Sequence, residues 1–368
     1  MTAIIRPASL CGSSILRWTQ ASEMGDCRVH RGKRHLARIA VIAVCAIFLV
    51  RGAVAADVDG LLRIPAEWET HAATWMQWPG SWEAGMRPAF ARIIATVQQY
   101  EPVHILTGSA SEQSEAKRFL IDRGVSFESI TWHVAPIDNA WMRDNGPVYV
   151  VDGGDLRILD WGFDAWGGNF GPEVGHRADD RIPTFVGSVL GLSVADLGSY
   201  VLERGNLESN GAGTLLLNWD CQQHRNPGLS QAQHEEVLRS ALGARTILWA
   251  YGYDRVDLTT GHIDGIARFV AEDQVLVAEY PSQVEFDRFV ADCAAAGLTV
   301  IRYPGDPNWL VGNGFVAAMS AGGAEDEPLR ALLESAFPGR DVHMIDARSI
   351  AASGGGIHCV TSDQPAAP

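Results

Sequence analysis

Four short segments set reactive side chains among glycines, where neither a plain core nor a plain surface pattern would put them. They are Trp141-Met142-Arg143-Asp144-Asn145-Gly146-Pro147, Leu202-Glu203-Arg204-Gly205-Asn206-Leu207-Glu208, Gly261-His262-Ile263-Asp264-Gly265 and Gly354-Gly355-Gly356-Ile357-His358-Cys359. Between them they hold a thiol, imidazoles and several carboxylates, the groups on which nucleophilic and acid–base chemistry draws. Each segment alone also has an ordinary reading. On a strand, His262 and Asp264 would share one face, yet such a pair could equally be hydrogen-bonded structure at a sheet edge. The glycines before Cys359 let backbone approach a ligand, or simply mark a turn. A free cysteine is by default a small buried hydrophobe. His358, beside Cys359 on a strand, is expected to face the other way as a structural neighbour.

The elements that must bring these segments together are short. Strand-like runs recur at 74–76, 103–106, 131–134, 148–151, 157–159, 214–217, 246–249, 266–270, 275–278, 300–303, 315–319 and 342–345. Helical patterns fall between them. Met86, Phe90, Ile93, Ile94 and Val97 repeat at the spacing of one buried helix face, as do Phe286, Phe289, Val290 and Cys293. That makes Cys293 a core residue rather than a reactive thiol. Ser230 with Gln233 forms a capping box opening a helix that Gly243 closes, and Gly297 closes the helix carrying Cys293. The alternation of strands and helices predicts an α/β fold. No charge block or Gly/Ser tract interrupts the chain after Leu61, so residues 57–368 read as a single domain.

The formal net charge is −15. Residues 1–56 carry eight Lys or Arg against two acids, so without that +6 the remaining chain stands at −21. Such a surface repels phosphate backbones, which argues against nucleic-acid binding, and favours small cations. The N-terminus reads as a secretory leader: the basic stretch 31–38 precedes an apolar run at 39–50, and Ala53-Val54-Ala55 offers a small-x-small cleavage signature. The run is short of the ~20 residues that span a bilayer, so no membrane span is expected after processing near Ala55-Ala56. A start at Met24 would give a more ordinary leader length. Three cysteines remain beyond the leader, Cys221, Cys293 and Cys359, without the spacing of a zinc site. No metal is therefore expected.

Taken together and in this order, the four segments resemble the agmatine deiminase family of the guanidine-modifying superfamily, which also holds the Porphyromonas-type peptidyl-arginine deiminases. The resemblance runs from about Leu61 to Pro365. It takes in Pro65-Ala66-Glu67-Trp68-Glu69, Trp75, Trp78-Pro79, Trp161-Gly162-Phe163, Trp166-Gly167-Gly168, Arg225-Asn226-Pro227 and the ending Gly-Gly-Gly-Ile-His-Cys with Gln364-Pro365. It implies a five-bladed, pseudo-symmetric α/β propeller (pentein-like) with the site in its central channel, and hydrolysis of agmatine to N-carbamoylputrescine and ammonia. By the same resemblance Cys359 is the nucleophile of a thiouronium intermediate, His262 the general acid and base, and Glu203 the group that holds His262. Asp144 and Asp264 would grip the guanidinium, and no cofactor is needed. His262 and a cationic substrate should lower the thiol pKa. Trp68, Trp75, Trp78 and Trp82 are candidates for a cation–π contact, of which at most one is expected in the site, with Trp75 put first, and Asp138 is a candidate for a distal ammonium.

Arg204 departs from the family, which usually has glycine there. It either repels the substrate or points away from it. Export is a second departure, because typical agmatine deiminases look cytoplasmic whereas the Porphyromonas-type peptidyl enzymes are exported. The rival readings are therefore an exported peptidyl-arginine deiminase and a catalytically silent guanidinium-binding protein. Association into a homo-oligomer is left open.

Overall fold

The computed structural model describes residues 62–252, 257–279 and 282–368, and the expected leader at 1–56 lies outside them. The described residues belong to one compact unit, Ala55–Pro368. None of their helices is long and apolar enough to cross a membrane.

Three strands open the fold: β1 (His71–Gln77), β2 (Val103–Thr107) and β3 (Ile130–Val134). They are followed by β4 (Val148–Asp152), β5 (Asp155–Gly162) and β6 (Val194–Val201), then by β7 (Glu208–Ser209), β8 (Thr214–Asn218) and β9 (Thr246–Ala250). Next come β10 (Ala267–Ala271), β11 (Gln274–Ala278), β12 (Thr299–Tyr303), β13 (Leu310–Gly312), β14 (Phe315–Met319) and β15 (Asp341–Ile345). The last strand, β16 (Ser362–Pro365), returns to pair antiparallel with β1. Each of the twelve predicted runs falls on a strand to within a residue. The α/β expectation is met by five small mixed sheets.

Every sheet repeats one plan. An antiparallel hairpin (β4–β5, β7–β8, β10–β11, β13–β14) is followed by a right-sized crossover to a parallel third strand (β6, β9, β12, β15). Parallel neighbours require such a crossover, and a helix supplies it. In the first sheet the hairpin partner comes from the far end of the chain: β16 pairs with β1, and β1 and β2 then lead in parallel to β2 and β3.

The crossover helices bury the faces that their spacing predicts. Arg87–Val97 sets Phe90, Ile93, Ile94 and Val97, with Met86 just ahead of it, against Met76, Val103 and Ile105 of the first sheet. Gln283–Ala295 packs Phe286, Phe289 and Cys293 on Phe269, Val275 and Val277. Gln231–Leu242 has both halves of the Ser230/Gln233 capping box, and Gly243 ends it at φ 68°. Cys221 and Cys293 are free thiols, both buried.

The chemistry-bearing segments share one position in this plan, the turn just ahead of a unit's first strand. The helical turn Met142–Asn145 precedes β4, Arg204–Asn206 precedes β7 and Ile263–Gly265 precedes β10. Asn308 stands two residues before β13, and Cys359 three before β16. His262 and Asp264 are therefore in a tight turn and not on a strand, because residues 263–265 coil to bring the backbone into β10. Cys359 and His358 also lie in a turn rather than a strand.

Candidate active site

These five turns bring their side chains together beside a chamber of about 140 Å³, which Asp144 and Cys359 line directly, with His262 and Glu203 behind Asp144 and with Asp264 and Asn308 behind Cys359. Close approach at the turns depends on glycine. A Cβ on Gly205 would stand 2.5 Å from both Asp144 Oδ1 and His262 Nδ1, and one on Gly356 would stand 2.2 Å from Asn308 Oδ1. No side chain fits at either position. Trp166 and Thr260 also adopt left-handed backbone, at φ 57° and 69°. A non-glycine residue holds that conformation only where its surroundings impose it. The Trp166 indole N–H donates to Asp144 Oδ2 at 2.8 Å, and the Thr260 carbonyl accepts from the buried Asn218 amide.

Cys359 is half-buried, and its sulfur opens on the chamber. The Asn308 amide donates to Sγ at 3.1 Å and to Asp264 Oδ2 at 3.3 Å. Asp264 Oδ2 itself lies 3.8 Å from the sulfur. On its other side Asp264 meets His358 Nδ1 at 2.7 Å, while His358 Nε2 meets Glu67 Oε2 at 2.7 Å. An imidazole between two carboxylates donates to both only when each nitrogen carries a proton. Burial works to raise the Asp264 pKa, but the hydrogen bond and charge of His358 bring it below the usual value.

His262 stands between two carboxylates as well. Its Nε2 lies 2.8 Å from Glu203 Oε2 and its Nδ1 3.4 Å from Asp144 Oδ1. Burial would favour the neutral ring, yet Asp144 and contacts with Cys221 and Glu203 raise its pKa well above the ordinary 6.5. Glu203 is 1% exposed and is held by Arg225, whose Nε donates to Oε1 at 2.6 Å. Arg225 and His262 outweigh burial and hold the Glu203 carboxyl down at about 2. Asp144 goes the other way. Burial lifts it to about 6 despite His262, with Asp264 and Glu203 adding repulsion, and its Oδ1 has no hydrogen-bond partner. The Cys359 thiol is pushed well above its usual value by burial, then by Asp264 and Asp144. The expected depression of this thiol is thus absent from the substrate-free site, because the nearest charges are anions.

Among the described residues, Glu203, Cys221 and His262 are the group with metal-ligand chemistry, their ligand atoms lying within 4.8 Å of one another. Arg225 already supplies the positive charge at this carboxylate.

Sequence reasoning placed Cys359, His262, Glu203, Asp144 and Asp264 together, and the fold brings all five to one site. Trp75 does not belong there. It is fully buried in the cluster of Met142 and Tyr149, donates to Gln364 Oε1 and stacks on His133. Strand β1 is buried on both faces, with Met76 packed in one core cluster and Trp75 in another. Asp138 lines a separate, more open hollow with Asp164 and Arg177, where its Oδ2 accepts from the Ala178 N–H. Arg204 points away from the chamber, forked onto both oxygens of Asp363 at 2.7 Å. His358 is a structural neighbour of Cys359, but its contact with Asp264 comes from the turn and not from strand alternation. Of the four candidate tryptophans for a cation–π contact, Trp82 lines the chamber, whereas reasoning from sequence gave no site role to Asn308, Glu67, Arg225 or the lining aromatics Trp141, Trp166 and Phe170. Glu67, Arg225 and Trp166 lie inside recognisable motifs, whereas Asn308 carries no local signal.

A sulfur set among carboxylates and a doubly held imidazole, on five repeated α/β units, is an arrangement suited to thiol chemistry on a cation. The chain belongs to the Porphyromonas-type peptidyl-arginine deiminase family, whose profile matches residues 63–297 and 307–365. It is an enzyme of that type, a hydrolase acting on carbon–nitrogen bonds. It is 32% identical to the agmatine deiminase of Pseudomonas aeruginosa (strain LESB58), covering 84% of this chain and 96% of that one. A putative agmatine deiminase of Streptomyces coelicolor is also 32% identical, over 82% of this chain and 98% of its own. Among solved structures, the agmatine deiminase of Enterococcus faecalis superposes with a TM-score of 0.74 at 24% identity, covering 83% of this chain and 96% of that one, a likeness of fold. A putative agmatine deiminase superposes at 0.75 with 26% identity, over 83% and 96%.

Proposed function

We propose that this enzyme deiminates agmatine, giving N-carbamoylputrescine and ammonia. The observation that carries the reading is the meeting of the Cys359 sulfur with Asp144 and Asp264 at one small chamber, beside an imidazole gripped by Glu203. A guanidinium is flat, delocalised and permanently charged, so carboxylates must orient it before its carbon can be attacked. Asp144 Oδ1, which accepts no hydrogen bond among the described residues, and Asp264 would take its N–H edges.

The Cys359 thiolate then forms a C–S bond to the guanidinium carbon. His262 gives its proton to the departing nitrogen, the C–N bond breaks and ammonia leaves, with a thiouronium remaining. Water adds to the same carbon as His262 takes up a proton. The C–S bond breaks, sulfur departs as thiolate and the ureido product is released. The sum is agmatine plus water to N-carbamoylputrescine plus ammonia.

Agmatine is favoured over a peptidyl arginine because, among the described residues, no Lys, Arg or His lines the chamber to receive a terminal carboxylate. The names of the relatives support the same substrate. We also read the five units as blades of a closed, pseudo-fivefold ring. The support is that each contributes to the site from the same place, the turn ahead of its first strand. The leader-like start supports export of the mature chain from about Asp57.

Purified protein should be incubated with agmatine, free arginine and an arginine-ended peptide while ammonia and ureido product are measured. Agmatine alone is expected to turn over well, and Cys359→Ser to lose at least ~10⁴-fold in kcat. Turnover of only the peptide would overturn the substrate assignment.

A further inference from the structure

Glu83 lines the same chamber as Cys359 and Asp144, and nothing in the chemistry above employs it. It is 6% exposed, and neither carboxylate oxygen has a hydrogen-bond partner of good geometry. Burial pushes its pKa up to about 7. Asp179 adds repulsion, and the backbone of Ala140 and Gly80 and the Trp141 side chain offset the effect only in part. A buried, unpartnered carboxylate is costly. Its neighbours in the chamber wall, Trp82, Trp141, Trp166 and Phe170, are aromatic. Such walls suit an apolar stem and attract a positive charge at its end. Among the described residues, the chamber wall therefore holds two carboxylate side chains, Asp144 and Glu83, for two cations joined by a hydrocarbon linker, and no cation for an anion.

We propose that Glu83 receives the primary ammonium of the substrate tail, so that the chamber selects linear guanidines ending in an amine over those ending in a carboxylate. The inference rests on the guanidine-deiminase reading and gives it a specificity-determining residue. Once the ammonium is in place, Glu83 is ionised and paired. The α-carboxylate of arginine at the same point would face an anion.

The test compares agmatine with n-butylguanidine, the same molecule without its amine. Glu83→Gln keeps the shape of the side chain and removes its charge. It is expected to raise KM for agmatine about 10- to 100-fold, the range for loss of a charge-assisted contact. Values of kcat on agmatine and kcat/KM on n-butylguanidine should change less than about threefold, the latter also showing that the variant folds. Equal effects on the two compounds would overturn the proposal. So would an agmatine-specific loss in Asp138→Asn that Glu83→Gln does not share, which would move the anchor to the adjoining hollow.

If the wild type turns over neither compound, the deiminase reading fails, and binding to Cys359→Ser protein decides the subsite alone. Adding Glu83→Gln should then loosen agmatine tenfold or more without loosening n-butylguanidine, and equal loosening or none sinks the proposal.

Discussion

Burial and the carboxylates of Asp264 and Asp144 keep the Cys359 thiol protonated in the empty site. The same carboxylates bind a cation, so a guanidinium that enters neutralises the charges opposing ionisation of the sulfur. The nucleophile is therefore armed by its own substrate. Alkylation by neutral iodoacetamide is expected to be slow at pH 7 and to keep rising through pH 9, where an ordinary thiol is already levelling off. The cationic 2-chloroacetamidine should label Cys359 much faster at pH 7. Asp144→Asn separates the two roles of that carboxylate: iodoacetamide labelling should speed up, since one repelling anion is gone. Turnover of agmatine should fall ~10²-fold or more, the scale of losing one partner of a buried charge pair. Slower iodoacetamide labelling in that variant would contradict the electrostatic account.

The turns that carry the site are held from behind by a second layer of buried ion pairs. Asp363, in β16, accepts from Arg204 at 2.7 Å and from Arg143 at 2.9 Å. Arg268, in β10, reaches Glu67 at 2.9 Å and Glu208, in β7, at 3.1 Å. These pairs join one unit to the next. Arg204→Ala is expected to destabilise the fold by about 3 kcal/mol, because it leaves a buried carboxylate short of a partner, while KM for agmatine stays near the wild-type value. Thermal or urea unfolding alongside steady-state kinetics checks both. A lower KM without loss of stability would restore the idea that Arg204 repels substrate.

This layer also explains what the sequence concealed. Most of the short apolar strands were legible as runs of buried residues, and so were the amphipathic helices. Strand β16 was not, because Ser362, Asp363 and Gln364 face buried charges and so lack the apolar alternation that marks a half-buried strand. Strands β7 and β13 are too short to show any period, and β6 is an exposed edge rich in Asp, Gly and Ser. Of the site, the glycine-flanked polar segments could be read, whereas Asn308 and Glu83 could not. Both owe their place to long-range packing, and each sits in a stretch with an ordinary local pattern.

At the scale of the molecule, five copies of one hairpin-and-crossover plan each spend a turn on the site, and the sheets behind those turns share none of the chemistry. This division separates stability from catalysis. The site and its supports described above all lie in residues from Glu67 onward. Protein beginning at Asp57 is expected to unfold cooperatively and to match full-length material in kcat. If the proposed export is right, N-terminal sequencing of the mature protein should begin near Asp57. Activity that requires residues 1–56 would contradict this.

The pairing of β16 with β1 has a consequence in time. The Cys359 sulfur precedes the closing strand by three residues, so a nascent chain that presents only the first four contributing turns lacks both that sulfur and the strand that pairs with β1. The site is assembled only once β16 has emerged and docked.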